Sequence, residues 1–341
     1  LEEATSLNRA ESNELLTRTL RGVSRSFYTT LRVLPAAVRP QIGLAYLLAR
    51  TTDTIADTKA LPANQRLEAL QALRSRIQGS SKAPLKFDIL SNSQASEEER
   101  VLLERVEDSL VLLQNLESFD RERIIGVLEI ITSGQESDLT RFAHAGASNI
   151  TALSTADELD DYTYQVAGCV GEFWTHLCRR HLFPKANLDE AQLLLRAVRF
   201  GKGLQLVNVL RDVPSDLRNG RCYIPAAQLQ QAGLAPTDLL DPNVYPRFHP
   251  LYTAWLDKAH AHLVEGWRYT NMLPHRQMRV RLACAWPLLI GFKTMDLLRT
   301  NNVLDSTKRV KVPRQEVKRI ILRSVLWYHW PAKWRGLAPM R

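Results

Sequence analysis

Tyr46-Leu47-Leu48-Ala49-Arg50-Thr51-Thr52-Asp53-Thr54-Ile55-Ala56-Asp57 reads as a helix that carries its chemistry along one face. At about 100° per residue, positions 46, 50, 53 and 57 fall within roughly 60° of one another on a helical wheel. A phenol, a guanidinium and two carboxylates therefore share a side. The same period runs outward through Ile42, Tyr46, Ala49 and Arg50, and returns in Leu103, Val106, Leu110 and Leu113 with no strand-like alternation. Helices are predicted over roughly 11–32, 39–58, 64–78, 97–116, 119–144, 157–181, 188–212, 225–232, 252–273, 276–301 and 314–328. No sustained alternating segment is bounded by Asn-Gly or Asp-Gly turns, so the expected fold class is all-α.

Segments 79–95, rich in Ser, Lys and Pro, 144–155, rich in Gly, Ala, Ser and Thr, and 214–225, with its Asn219-Gly220 turn, read as loops. None is long or biased enough to be a linker, and one helical domain over 1–341 is expected. The 341 residues are 45% hydrophobic and 24% charged with 15 Gly and 16 Pro, which excludes disordered and collagen-like classes. The longest apolar run, Leu282 to Phe292, contains Pro287 and falls well short of the ~20 residues that cross a bilayer. Leu1-Glu2-Glu3 has neither a basic opening nor an apolar run and reads as a trimmed start, not a signal peptide. Cys169, Cys178, Cys222 and Cys284 show no CxxC spacing, which fits reduced thiols in a cytoplasmic protein and offers no zinc site. His260 and His262 lie two apart, off a common helical face, and carry no metal role.

The charge is unevenly placed. Ten of the 45 Lys and Arg lie in residues 308–341 beside a single acid, Glu316, so the other 307 residues balance at 35 against 35. Within this basic segment Val317, Ile320, Ile321, Ser324, Val325 and Tyr328 recur at helical spacing, while Lys318, Arg319 and Arg323 fall largely on other faces. Trp327, Trp330 and Trp334 follow, rings that suit a water–lipid boundary. Two readings stand: a C-terminal helix docked on the core with a solvated basic face, or peripheral contact with a membrane surface. Nucleic acid is disfavoured by the neutral body and by the absence of a helix-turn-helix, zinc-finger or RNA-module pattern.

A second polar face comes later in the chain. Gln205, Asn208, Asp212 and Asp216 are spaced three, four and four apart, within roughly 80° on a wheel, with Arg211, Arg218 and Arg221 around them. Pro214 sits between the two acids, removing a backbone donor and crowding the carbonyl of Leu210. A lone pair of acids one turn apart is ordinarily a solvent-facing surface. Two such pairs, each with arginine beside it, ask for a positive partner, because acids one turn apart repel and do so more strongly when partly buried. All-oxygen ligand sets favour hard cations such as Mg²⁺ or Mn²⁺, and Mg²⁺ leaves most of its positions to water and substrate phosphates. Arginines add bidentate phosphate contacts. The combination fits a diphosphate held between two helices by several Mg²⁺ ions.

These residues resemble a known family. Ser24-Arg25-Ser26-Phe27, the stretch Tyr46 to Asp57, Tyr162-Thr163-Tyr164-Gln165-Val166-Ala167-Gly168-Cys169-Val170-Gly171-Glu172, the stretch Gln205 to Asp216, and Gly220-Arg221-Cys222-Tyr223-Ile224-Pro225 occur in that order. Together they are similar to the squalene and phytoene synthases, which join two allylic prenyl diphosphates head to head in an all-α fold. Asp53-Thr54-Ile55-Ala56-Asp57, Cys284-Ala285-Trp286-Pro287 and Arg309-Val310-Lys311-Val312 look like squalene synthase segments, the last belonging to a flap associated with NADPH. Arg211 to Asp216 followed by Gly220 to Pro225 is closer to bacterial phytoene and dehydrosqualene synthases. Pro313 stands where eukaryotic squalene synthases are basic, and their hydrophobic C-terminal anchor has no counterpart in the segment.

The resemblance implies a single isoprenoid-synthase-type helical bundle with a central apolar channel. It implies a squalene synthase converting two farnesyl diphosphates to presqualene diphosphate and then, with NADPH, to squalene, a precursor of sterols and hopanoids. Asp53, Asp57, Asn208, Asp212 and Asp216 are the expected metal ligands, with Arg25, Arg50, Arg211, Arg221 and Gln205 on the diphosphate. Arg25 equally suits anchoring of a helix end. Tyr46 and Tyr164 are expected to orient proton removal, and Lys311 and Arg314 to meet the cofactor phosphate or to be solvated. Phe27, Leu31, Val166 and Phe292 could line the channel or pack the core. No G-x-G-x-x-G follows a strand, so NADPH would bind without a Rossmann unit. The rivals are a reductant-free synthase making dehydrosqualene, hydroxysqualene or phytoene, and a non-catalytic helical assembly factor of the same fold. Oligomeric state is not expressed in the pattern.

Overall fold

A computed structural model of the chain describes residues 11, 14–24, 27–146, 149–307 and 309–340. Among them, apolar residues at helical spacing generate sixteen α-helices and a single pair of two-residue strands, so the fold is all-α. Contacts group the chain into two units, residues 1–140 with 176–184, and residues 141–175 with 185–341.

In the first unit, α1 (Leu20–Ser24) and α2 (Phe27–Val33) precede α3 (Arg39–Asp57), α4 (Ala63–Ile77), α5 (Asp88–Asn92), α6 (Glu97–Glu104), α7 (Val106–Gln114) and α8 (Ser118–Arg141). Pro40 near the start of α3 is pre-set for helix, since its missing N–H is one the first turn leaves unpaired anyway. Leu44, Leu47, Leu48 and Ile55 of α3 are fully buried, and the helix packs against α4, α6 and α7. Each such side chain contributes roughly 1.5–3 kcal/mol by leaving water. At its end the Arg66 guanidinium donates to the Ala56 carbonyl at 2.5 Å, satisfying one of the last turn's orphan acceptors. The predicted run 11–32 is not one α-helix: a π-helical turn, Leu15–Thr19, leads into α1. The run 97–116 breaks at Arg105, whose φ of −100° and ψ of 20° leave the helical basin. The expected loop 79–95 contains α5.

The second unit holds β1 (Thr151–Ala152), α9 (Ala156–Thr163), a π-helical turn Tyr164–Gly168, the start of α10 (Cys169–Leu182), α11 (Glu190–Arg218), β2 (Arg221–Cys222), α12 (Ala226–Gln231), α13 (Tyr245–Met272), α14 (Met278–Thr300), α15 (Arg314–Trp327) and α16 (Pro331–Arg335). α11 runs against α13 in the most extensive helix pairing of the unit, and α14 covers α13. Phe248, Tyr252, Trp267 and Tyr269, all nearly inaccessible, fill the interior between them. Thr155 caps α9 by accepting from the Glu158 N–H, and Asp189 caps α11 by accepting from the Gln192 N–H. The four cysteines are buried and form no disulfide.

Pro214 does not end α11, which overturns the loop expected from residue 214. The helix continues to Arg218 because Tyr252, on α13, donates its hydroxyl to the Leu210 carbonyl at 3.0 Å. That bond replaces the one proline cannot make, and Asp216 stays helical one turn beyond Asp212. α11 then stops at Gly220, whose φ of +77° suits only glycine, and a Cβ there would stand 2.1 Å from the Gly146 nitrogen. The tight exit delivers Arg221 into β2, where it pairs with Thr151 in the parallel ladder.

Candidate functional site

On α3 the face read from the sequence is a physical face. Tyr46, Arg50 and Asp53 are half-buried and Asp57 is exposed. The Tyr46 ring stacks on Phe27 at 5.0 Å. Arg50 pairs with Glu99 of α6, yet its Nε is buried with no hydrogen-bond partner among the described residues. Asp53 accepts from the Gln135 amide of α8 at 2.5 Å. Burial first, and then the neighbouring Asp57 carboxylate, push the Asp53 carboxyl up to about 7, against the downward pull of Arg50 and Gln135. A buried carboxylate that its own protein barely neutralises is what a divalent cation would settle. The donor chemistry therefore fits Mg²⁺. Among the described residues no three His, Cys, Asp or Glu side chains gather into a ready cage, which suits an ion that takes one or two carboxylates and completes its shell from water and phosphate.

The second face, on α11, is continuous. Asn208 donates to the Gln205 side-chain oxygen at 3.4 Å, and Gln205 donates to the Tyr162 hydroxyl at 3.4 Å. Arg211 forks onto both oxygens of Asp212, with Nε to Oδ1 at 2.9 Å. Asp216 lies near Arg211, whose proton it helps to hold. Arg221 lies with its guanidinium 5.6 Å from the centre of the Phe142 ring. Next to it Phe142, Tyr223 and Tyr162 form a run of rings, the last pair stacked at 4.6 Å. A cleft of about 260 Å³ opens along the same helix, lined by Arg211, Asp212, Ser215 and Arg218 and, from the segment after α14, by Asp305, Ser306 and Arg309.

Some expected residues sit apart from these faces. Tyr164 donates its hydroxyl to Glu172 at 2.9 Å, and burial together with that carboxylate push it up to about 12, so its proton is held towards Glu172. Lys311 and Arg314 are exposed and are not among the residues lining the cleft, which include Arg309. Arg25 lies outside the described residues. Sequence reasoning passed over Glu99, Gln135, Tyr162 and Lys202. Lys202 sits on α11 one turn before Gln205, bonds Asp160 at 2.6 Å and lies over the Tyr164 ring at 5.7 Å. Its spacing of three from Gln205 was the available signal; Glu99 and Gln135 are brought in from other helices and left none.

The glycines of the Tyr162 to Glu172 stretch explain how this part of the site is held. A Cβ at Gly171 would lie 2.0 Å from the Ala197 carbonyl oxygen, and one at Gly201 would lie 2.0 Å from that of Ala167. Only glycine lets the backbone of 164–171 lie directly on α11.

Comparison with known proteins agrees with the fold. The model of the squalene/phytoene synthase family matches residues 20–316, and the chain belongs to that family, whose members are enzymes that join isoprenoid diphosphates head to head and generally use a divalent metal. Among relatives, the squalene synthase of Schizosaccharomyces pombe is 24% identical over 303 residues, covering 89% of this chain and 63% of its own length. The 15-cis-phytoene synthase of a Synechocystis species is 25% identical over 325 residues, covering 93% and 85%. A solved ligand complex of TcSQS shares the fold, with a TM-score of 0.75 at 23% identity over 92% of this chain and 86% of that one. This chain thus spans under two thirds of the length of the fission-yeast relative. Among the described residues no helix is long and apolar enough to cross a membrane.

Proposed function

We propose that the chain is a head-to-head synthase of the squalene type. It joins two farnesyl diphosphates to presqualene diphosphate, releasing one diphosphate and one proton. It then converts that intermediate to squalene, releasing the second diphosphate and taking a hydride from NADPH. The observation that carries the reading is Asp53, a half-buried carboxyl raised to about 7 beside Arg50 and Asp57.

In this reading Asp53 and Asp57 on one helix, and Asn208, Asp212 and Asp216 on the other, would hold Mg²⁺, with Mn²⁺ as the natural substitute. The metal supplies positive charge against the departing diphosphate. Arg50 offers its unpartnered Nε to a diphosphate oxygen. With the cation bound, Asp212 would help to hold it and Arg211 would meet the anion through its bidentate fork. Arg221 and Gln205 bound the same α11 face, and Arg25 is a further diphosphate contact.

Proton removal at cyclopropane closure needs a base that a phenol with pKa near or above 10 does not provide. Tyr46 and Tyr164 therefore orient rather than abstract, and Tyr162, bonded to Gln205, shares that work. Released diphosphate accepts the proton. The apolar rings around Tyr162 keep water from the cation. The NADPH phosphate fits the Arg218 and Arg309 cleft, with Lys311 and Arg314 as exposed outer charges.

A second reading has its own support. The Synechocystis phytoene synthase is matched over more of its length than the S. pombe squalene synthase, and the Arg211 to Pro225 stretch resembles reductant-free enzymes. Purified protein is incubated with farnesyl diphosphate and Mg²⁺, with and without NADPH, and the hydrocarbon is extracted for mass spectrometry. Squalene formed only with NADPH supports the first reading. Dehydrosqualene or hydroxysqualene in both arms, or phytoene when geranylgeranyl diphosphate is offered in place of farnesyl diphosphate, replaces it with the second, and substrate binding without turnover leaves the assembly factor.

A further inference from the structure

The basic C-terminal segment has two faces, and only one is used by the protein. On the inner face Ser324 is fully buried and accepts from the Trp286 indole at 2.9 Å. Tyr328 donates to the His275 carbonyl at 2.5 Å and stacks on the His275 ring. Trp334 donates to Asn271 at 2.8 Å and stacks on Trp267 at 5.2 Å. Arg281, almost wholly buried, lies 5.4 and 5.3 Å from the centres of the Tyr328 and Trp334 rings. These contacts fix α15 and α16 in place, so what their outer face presents is a built surface.

That outer face is apolar where a solvated helix should be polar. Leu322, Val325 and Leu326, at spacings of three and four, are 58%, 39% and 53% exposed, and Trp330 is 56% exposed. Five of the eight large hydrophobic side chains that stand exposed among the described residues lie between 322 and 340. Lys318, Arg319, Arg323 and Lys333 are exposed around the patch, with Arg323 over the Trp327 ring and Lys333 over the Trp330 ring. The whole basic excess of the chain lies in residues 308–341, of which this face is a part. A second copy presenting the same face would set positive charge against positive charge. Nucleic acid would answer the charge and leave two leucines and a tryptophan unanswered. A bilayer with anionic headgroups answers both, with phosphates for the cations and acyl chains for the apolar stripe.

We propose that α15 and α16 form a rigid docking face for an anionic lipid bilayer, with Leu322, Val325, Leu326 and Trp330 entering the acyl boundary and Lys318, Arg319, Arg323 and Lys333 meeting headgroup phosphates. The inference stands on this face alone and gains its use from the proposed reaction, whose product carries no polar group. The test is sedimentation of the full chain with vesicles of phosphatidylcholine and of phosphatidylcholine mixed with phosphatidylglycerol. Binding to the anionic vesicles, at least tenfold weaker on pure phosphatidylcholine and weakened by salt, is expected. Neutralising Arg319→Gln or Arg323→Gln should lower partitioning about fivefold each. Leu322→Ser with Leu326→Ser should lower it at least tenfold while leaving the thermal midpoint and diphosphate release from dispersed farnesyl diphosphate unchanged. Equal partitioning on both vesicles, no partitioning of the wild type, or full binding by the double-serine variant overturns the proposal. So does lipid-free dimerisation that the same substitutions abolish. Absence of diphosphate release in the wild type counts against the proposed reaction and leaves the docking result intact.

Discussion

Asp53 is at once the most useful and the least comfortable side chain of α3. Its folded-state value of about 7 exceeds the unfolded value of 3.8, so the folded protein holds a proton there that the unfolded chain has lost. Its contribution to stability is whole below pH 3.8 and disappears as pH rises through 7. The ionised form therefore costs the metal-free fold up to about 4 kcal/mol. Asp53→Asn removes that cost. The expected outcome at pH 8 without metal is a higher urea midpoint than wild type, with a difference that shrinks towards pH 5. The same variant should lose at least a hundredfold in Mg²⁺-dependent diphosphate release from farnesyl diphosphate, and Asp212→Asn should also lose release without the stability gain, since Arg211 already satisfies its carboxylate. Release close to wild type would remove these carboxylates from the chemistry. A residue that gains stability when its activity is lost is placed for chemistry and not for packing.

At the scale of elements, the sequence shows where helices run better than where they continue. The α3 face was legible because its four residues lie on one helix, where spacing alone fixes direction. Glu99 and Gln135 were not, because their approach depends on packing between helices far apart in sequence. Pro214 was misread for the same kind of reason, since its rescuer, Tyr252, is 38 positions away and on another helix. The rescue is measurable. Tyr252→Phe should cost about 1–3 kcal/mol by leaving the Leu210 carbonyl buried and unpaired. In a Pro214→Ala background the restored N–H can reach that carbonyl, so the same change should cost at least about 1 kcal/mol less. Additive effects in this double-mutant cycle would show that the hydroxyl does not compensate for proline. Glycines divide likewise. Gly171→Ala drives a Cβ to 2.0 Å from a carbonyl oxygen, whereas Gly126→Ala, inside α8, meets nothing within 4 Å. The first should lower the urea midpoint by several kcal/mol equivalents and the second should raise stability by about 1 kcal/mol. Equal effects would mean that 164–171 does not lie on α11 as closely as the structure has it.

Across the whole molecule, charge separates two jobs. The chain outside 308–341 is neutral, so in the proposed reaction the first half would draw its positive field from local arginines and from metal, and the basic segment would be left for other tasks. Its charge was plain in the sequence, but which cations turn inward was not, because a helical wheel places residues around an axis without saying which side is covered. Lys311 and Arg314 were expected either to meet the cofactor phosphate or to be solvated; both are exposed, and Arg309 lines the cleft with Arg218. If the cleft holds the phosphate of NADPH, Arg309→Ala should leave consumption of farnesyl diphosphate within about twofold of wild type and let presqualene diphosphate accumulate. The reason is that only the hydride step needs the reductant. Raising NADPH should restore squalene, since a lost phosphate contact of roughly 1.5–3 kcal/mol weakens binding about ten- to a hundredfold without altering the hydride donor itself. Lys311→Ala should do the same more weakly, in keeping with an exposed charge. Farnesyl diphosphate consumption that falls in parallel with squalene in both variants would assign the segment to the first half-reaction. Unchanged squalene output in both would remove it from cofactor binding altogether.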